Sequence, residues 1–158
     1  MESKISAVDK LNMDVVFDLK IVRDNAIIPT YAKPGDAGMD LHACIDDKLI
    51  IQAGERKLIP TGIAIAIATE HIGGFIHPRS GKACKYGLSV ANSPGTIDSG
   101  YRDEIMVCAH NINSNALITI EPGEAIAQIV FKPVYRASFR VVDSLDGYDR
   151  GGGFGSTD

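Results

Sequence analysis

The sequence is poor in cysteine, and the cysteines it has are not arranged for chemistry. Cys44, Cys84 and Cys108 are odd in number and widely spaced, which suits neither a disulfide framework nor a Cys-x-x-Cys metal or redox site. They read as reduced packing residues. The four histidines are equally scattered, and without a pair at helical or knuckle spacing a structural zinc site is excluded. Any metal is expected to arrive with the substrate. No apolar run approaches the length of a membrane span. The opening "MESKISAVDKLN" lacks the apolar centre of a secretory signal and is too acidic and arginine-poor for a transit peptide. A soluble, cytoplasmic protein without membrane contact is expected. A Lys/Arg run is also missing and the net charge is −4, which argues against a nucleic-acid partner. An anionic ligand would have to be met locally, by Arg79, Lys82, Lys85, Arg102 or Arg150.

What the chain does have is alternation with period two. "VFDLKIV" sets Phe17, Leu19 and Ile21 on one face and Asp18 and Lys20 on the other, the pattern of a half-buried strand. In "GIAIAIA", Ile63, Ile65 and Ile67 share one face and Ala64, Ala66 and Ala68 the opposite one. Further short strands are expected at "GFIH", "EIMVCA", "ALITI" and "IAQIVF". Pro34-Gly35, Gly73-Gly74, Pro94-Gly95 and Pro122-Gly123 read as turns between them. A single all-β domain follows, a sandwich, barrel or jelly roll. One short helix is expected in "SGKACKYG", with Ser80 as N-cap and Gly87 as its stop.

Four interior stretches hold more Gly, Asp, Ser and Arg than strand packing needs: "GDAGMDLHA", "HPRSGKACKYGL", "NSPGTIDSGYRDE" and "PGEAIAQIVF". Taken singly, Asp36, Asp40 and Asp98 read as turn formers, Arg79 as a surface charge and Gln128 as a satisfied strand amide. Together they describe a site. "PRSG" opens the short helix with a guanidinium, a hydroxyl and free backbone N–H groups, a setting that favours phosphate. "GTIDSGYRDE" reads as a tight hairpin with Asp98 and Tyr101 near its tip, a carboxylate for water activation beside an aromatic face. Asp40 is suited to the water shell of a Mg²⁺ carried by phosphates. The inferred ligand class is a charged nucleotide. The tail "RGGGFGSTD" has two readings from its residues alone, a frayed terminus or a lid in which Phe154 covers a flat ligand.

In order, "AGMDL", "PRSGKA", "GTIDSGYRDE", "GEAIAQ" and "RGGGFGSTD" resemble the five motifs of the homotrimeric deoxyuridine triphosphatase (dUTPase) family, a likeness running from about Ile21 to the end. The resemblance implies a jelly-roll-like β subunit in a threefold trimer, each active site being built from all three chains. It implies a flexible extension over residues 1–14, a β domain over 15–143 and an arm over 144–158 that closes over a neighbour's site. It makes Asp98 the group that orients and deprotonates a water for in-line attack on the α-phosphorus of dUTP, giving dUMP and pyrophosphate. Mg²⁺ would bridge the phosphates, with Asp40 contacting its water shell. Arg79, Ser80, Gly81 and Gln128 would hold the phosphate chain, and Asn92 with the backbone of Gly95, Thr96 and Ile97 would read the uracil edge. Tyr101 would pack on the deoxyribose and exclude a 2'-hydroxyl. Phe154 would stack on uracil, while Arg150, Gly155, Ser156 and Thr157 complete the arm's grip. The implied role is to keep dUTP low, so that uracil stays out of DNA, and to supply dUMP for thymidylate synthesis.

The chain departs from the family pattern at Asp103, where glycine is usual, at Ala125, where a basic residue is usual, and at Lys82, where an apolar one is usual. Three rivals stand beside the phosphohydrolase. A dCTP deaminase of the same fold needs a glutamate near the base, whereas the matching position here is Asp98. A regulatory protein with a protein partner, a role attributed to some family members, would survive loss of Asp98. An adhesion module would bind no nucleotide.

Overall fold

The alternation at Ile63, Ile65 and Ile67 is realised as a buried aliphatic row, with each of the three side chains nearly removed from solvent. The computed structural model describes residues 14–149 and 151. The expectations placed on Arg150, Phe154, Gly155, Ser156 and Thr157, and on all but the last residue of the N-terminal extension, lie outside the described residues. Eleven strands and one helix follow in order: β1 (Asp18–Ile21), β2 (Met39–His42), β3 (Leu49–Ile51), β4 (Arg56–Pro60), β5 (Ile63–Ala66), β6 (Ile72–His77), α1 (Ser80–Tyr86), β7 (Leu88–Val90), β8 (Gly95–Ile97), β9 (Met106–Asn111), β10 (Ile118–Ile120) and β11 (Ala125–Pro133). Every pairing is antiparallel. The strands form a four-stranded sheet in the order β2-β11-β6-β8, a three-stranded sheet β4-β9-β7, and the pairs β1-β5 and β10-β3. The architecture is mostly β and jelly-roll-like, as expected. No helix among the described residues is long and apolar enough to cross a membrane.

The core between these sheets is almost wholly aliphatic: Leu41, Ile51, Ile59, Ile63, Leu88, Ile105, Ile120, Ile126 and Ile129 are essentially inaccessible. Each such side chain contributes about 1.5–3 kcal/mol on burial, and β-branched residues suit the pleated surface they line. Phe17 and Leu19 pack against this core from β1 and its flank, but Ile21, expected on the same face, is 50% exposed.

Four local readings change. Gly73 and Gly74 form no turn; they lie inside β6, because a Cβ on Gly74 would sit 3.3 Å from Ile129 Cδ1, Ile97 Cβ and the Phe131 ring, and only a bare backbone allows that approach. The N-cap of α1 is Arg79 and not Ser80. The Ala83 amide donates to the Arg79 carbonyl, which starts the helix one residue earlier than a hydroxyl cap would; Gly87 ends it with φ +73 as expected. The stretch "GTIDSGYRDE" is not a paired hairpin: β8 bonds β6 whereas β9 bonds β4 and β7. Its turn therefore crosses from one sheet to the other. Of the cysteines, only Cys44 is buried, and Cys84 stands exposed on α1.

Gly62 shows how tightly the entry to β5 is built. Its φ is +74°, and an added Cβ would meet Ala26 Cβ at 2.6 Å and Cys44 Sγ at 2.7 Å. Gly62→Ala should cost about 2–5 kcal/mol through left-handed strain plus overpacking, read as a lower midpoint in urea denaturation; an unchanged midpoint would show that the neighbours yield freely.

Past Pro133 the chain leaves the sheets. Val134 still donates to the His71 carbonyl, but residues 135–149 contain no strand or helix. Tyr135, Phe139, Val141, Leu145 and Tyr148 are each more than 90% exposed. This run spans the expected boundary between residues 143 and 144.

Candidate active site

Register fixes the first half of the site. Asp40 on β2 stands opposite Gln128 on β11, and Gln128 stands opposite His77 at the end of β6, so these side chains share one sheet face. The chain then runs through Pro78 and Arg79 into α1. Arg79 Nε reaches Asp40 Oδ1 at 2.8 Å, Arg79 Nη1 donates to the Ala125 carbonyl at 3.3 Å, and Gln128 Nε2 donates to the Pro78 carbonyl at 2.9 Å. A Cβ on Gly38 would run into Gln128 Oε1, the free end of that side chain, so the bare glycine lets Gln128 hold its place. A cavity of about 570 Å³ opens over this network, lined among others by Asp40, Arg79, Ser80, Gly81, Lys82 and Gln128. Space above Gly81 is open to 4 Å, and the first turn of a helix leaves backbone N–H groups without partners. The guanidinium, ammonium and free amide donors of this half suit an anion.

Of the departures from the family pattern, Lys82 lines this cavity, while Ala125 touches it only through the carbonyl that accepts from Arg79. Lys82 Nζ pairs with Glu124 Oε1 and lies 5.5 Å from the Tyr86 ring centroid. Glu124 Oε2 in turn accepts from the Glu121 amide at 2.8 Å. A side-chain cation thus stands in the cavity wall although Ala125 offers only its carbonyl. Glu124, Gly38 and Tyr86 escaped the sequence reading as site residues. The first two sit inside the quoted motifs, which was their only signal.

Asp98 lies elsewhere. With Thr96, Ser99 and Gly100 it lines a separate cavity of about 460 Å³ that also includes Glu70, Phe75, Tyr135 and Arg136. Its side chain is exposed, and its carbonyl accepts from the Tyr101 amide at 3.0 Å. The neighbouring base-reading candidates are compactly arranged: Gly95 and Ile97 are buried, Thr96 and Asn92 exposed, and the Asn92 amide lies 3.3 Å from where a Gly95 Cβ would be. Tyr101 is half-buried against the core. Gly74 pairs with Ile97, so Asp98 falls level with Gly73 while Gln128 is level with His77. That offset is roughly 13 Å along the strands and roughly 10 Å across two of them. Within one chain the structure brings Asp40, Arg79, Ser80, Gly81 and Gln128 together, brings Asn92, Gly95, Thr96, Ile97, Asp98 and Tyr101 together, and keeps the two groups apart.

Behind Tyr101 sits an ion pair that was not foreseen. Arg23 donates to both oxygens of Glu104, at 2.6 and 2.9 Å, and the Gly62 amide donates to Oε1 at 2.8 Å. The hydrogen bonds from Arg23, helped by that amide, hold the Glu104 carboxyl below its ordinary value against the opposing effect of burial. Such a group stabilises the fold fully above the unfolded-chain value of about 4.3, and the contribution is lost as pH falls through the lower folded-state value. The melting-temperature advantage of wild type over Glu104→Gln should therefore shrink as pH drops below that range; a gap independent of pH would contradict it.

The dUTPase family model matches residues 24–158. The deoxyuridine 5'-triphosphate nucleotidohydrolase of Tolumonas auensis is 50% identical over 131 residues, which cover 82% of this chain and 86% of its own. A mutant of the dUTPase from phage 80alpha superposes with a TM-score of 0.80 at 26% identity, covering 92% of this chain and 100% of its own. A mutant dUTPase from phage phi11 of S. aureus, described with a coordinated structural Mg(II) ion, superposes with a TM-score of 0.76 at 20% identity and covers 84% of this chain and 100% of its own.

Proposed function

Starting from a chain that belongs to the dUTPase family and hydrolyses dUTP, we propose that its active site is completed between chains of a homotrimer. The observation that carries this reading is the separation of the Asp98 cavity from the Arg79–Gln128 cavity within one chain. A base that activates water must come within one water of the α-phosphorus, while the donors of the other cavity must reach oxygens of the same triphosphate. An offset of well over 10 Å forbids both from one chain; apposing two copies allows it. The fully exposed apolar side chains between Tyr135 and Tyr148 support an arm that leaves its own subunit, and the tail from Arg150 to Thr157, with Phe154 over the base and Gly155 allowing close approach, completes the site from a third chain.

In this reading Asp98 orients a water and takes its proton as the oxygen attacks the α-phosphorus in line, with pyrophosphate leaving. Arg79, the Ser80 and Gly81 amides and the Gln128 carboxamide hold the phosphates and meet the charge that moves onto the leaving group. Asn92 and the backbone of Gly95, Thr96 and Ile97 read the uracil edge, and Tyr101 leaves no room for a 2'-hydroxyl. The donor set fits Mg²⁺ arriving on the phosphates: two carboxylates line the cavity, Asp36, which accepts from the Lys33 amide, and Asp40, which pairs with Arg79 through Oδ1. No group of three or more His, Cys, Asp or Glu is positioned there to cage an ion, and Mg²⁺ keeps its waters and takes few protein ligands. The chemistry it supplies when bound is neutralisation and alignment of the phosphate oxygens. The setting is cytoplasmic, with dUTP kept low and dUMP supplied.

Release of pyrophosphate and nucleoside monophosphate from dUTP, dCTP, dTTP and UTP, with Mg²⁺ or with EDTA, tests this reading. Turnover confined to dUTP and Mg²⁺, by a trimer in light scattering, is expected. A fully active monomer would overturn the shared site.

A further inference from the structure

We infer that Arg23 and Glu104 are positioning residues that set dUTP-over-UTP discrimination by fixing Tyr101. The inference rests on the reading in which Tyr101 packs against the deoxyribose. The Tyr101 hydroxyl donates to the Glu104 carbonyl at 2.9 Å, so the ring is tethered by its far end to the base of its own loop. That base is clamped from two chain segments, one at Arg23 and one over residues 61–63. Arg23 grips the Glu104 carboxylate with two donors, Gly62 adds its amide, and the adjacent Ile105 carbonyl accepts from the Thr61 hydroxyl at 2.6 Å while its amide donates to Ile63 at 2.8 Å. Arg23 is itself anchored through its neighbour, since the Val22 amide donates to the Gly62 carbonyl at 2.8 Å.

At the other end of the loop, Ser99 is half-buried, while Gly100, Arg102 and Asp103 are exposed. There the Arg102 guanidinium bonds, among the described residues, only the local carbonyls of Ser99 and Tyr101. The loop is thus stiff at Glu104 and held only locally at its tip, and Tyr101 is the side chain that spans the two. Arg23 is 48% exposed, and an ion pair so wet contributes little to stability. Its two-pronged geometry instead fixes direction. A tyrosine displaced by even a fraction of an ångström admits a 2'-hydroxyl and loses contact with the sugar that lacks one.

The test measures kcat and KM for dUTP and UTP, with melting temperature, in wild type, Glu104→Ala, Glu104→Gln, Arg23→Ala and Arg23→Lys. The alanine variants should lower the dUTP/UTP ratio of kcat/KM by about tenfold, mainly through a higher KM for dUTP, as small misplacements of substrate-positioning groups do. Glu104→Gln keeps an acceptor for Gly62 but loses one prong of the Arg23 fork, and Arg23→Lys is a single-point donor, so both should fall between. A ratio unchanged in the alanine variants overturns the inference whatever happens to the melting temperature. Should an alanine variant fail to fold, an unchanged ratio in Arg23→Lys overturns it equally. If wild type prefers dUTP strongly and the variants do too, the Tyr101 reading stands without this clamp; if wild type turns over UTP as readily as dUTP, both fall.

Discussion

Asp98→Ala should lower kcat for dUTP by about 10²–10⁴-fold, the range expected when a positioned general base is removed, with little change in melting temperature or in affinity for a nonhydrolysable dUTP analogue. The contrast follows from where Asp98 sits. Its side chain is exposed and makes no hydrogen bond or ion pair among the described residues, and the turn it opens is held through its backbone carbonyl. Losing the carboxylate would therefore remove the proposed proton acceptor and leave the turn intact. Asp98→Asn should behave alike, since it keeps the shape and loses the basicity. Rapid hydrolysis by either variant would remove Asp98 from the mechanism. A variant that folds, binds the analogue and does not turn over dUTP separates catalysis from any role the protein has through binding alone.

The second large effect concerns sharing between chains. Asp98→Ala and Arg79→Ala chains should each be nearly inactive when assembled alone. Mixed, unfolded and reassembled in equal amounts, they should recover about a quarter of wild-type activity, because in the proposed closed ring with a head-to-tail site each site would draw Asp98 from one chain and Arg79 from the next. Both donors are intact at that site in one of every four random pairings. A site contained within one chain predicts no recovery, since every chain carries one defect. The outcome does not depend on how strongly either residue contributes, provided each single variant is silent. Arg79→Ala also frees Asp40 from its 2.8 Å partner, so analogue binding by this variant alone should weaken while its fold persists.

Strand content was legible wherever side chains alternate over a sheet with one buried face: Ile63, Ile65 and Ile67 announce β5 because period two admits no other common element. Gly73-Gly74 misled because glycine pairs are common in turns, and the reason for this pair, close approach by Ile129, Ile97 and Phe131, lies in residues distant in sequence. The loop carrying Asp98 was seen but not its crossing between sheets, because sequence shows that two strands flank a turn and not which partners they take. The motif residues of the site were legible as types. Their division into two cavities was not, since register between β6, β8 and β11 sets it. Arg23 and Glu104 are separated by 81 positions, and nothing local marks them as a pair.

The apolar side chains bared between Tyr135 and Tyr148 tie the proposed trimer's output to its own abundance. A surface of that kind left uncovered invites indiscriminate association, so under that proposal a newly made subunit would compete between finding two siblings and adhering to whatever else is near. Such assembly would follow mass action, with the stability of a subunit depending on how many of them there are. Diluting the chain, in a tube or in a cell that makes few copies, should remove active sites faster than it removes protein.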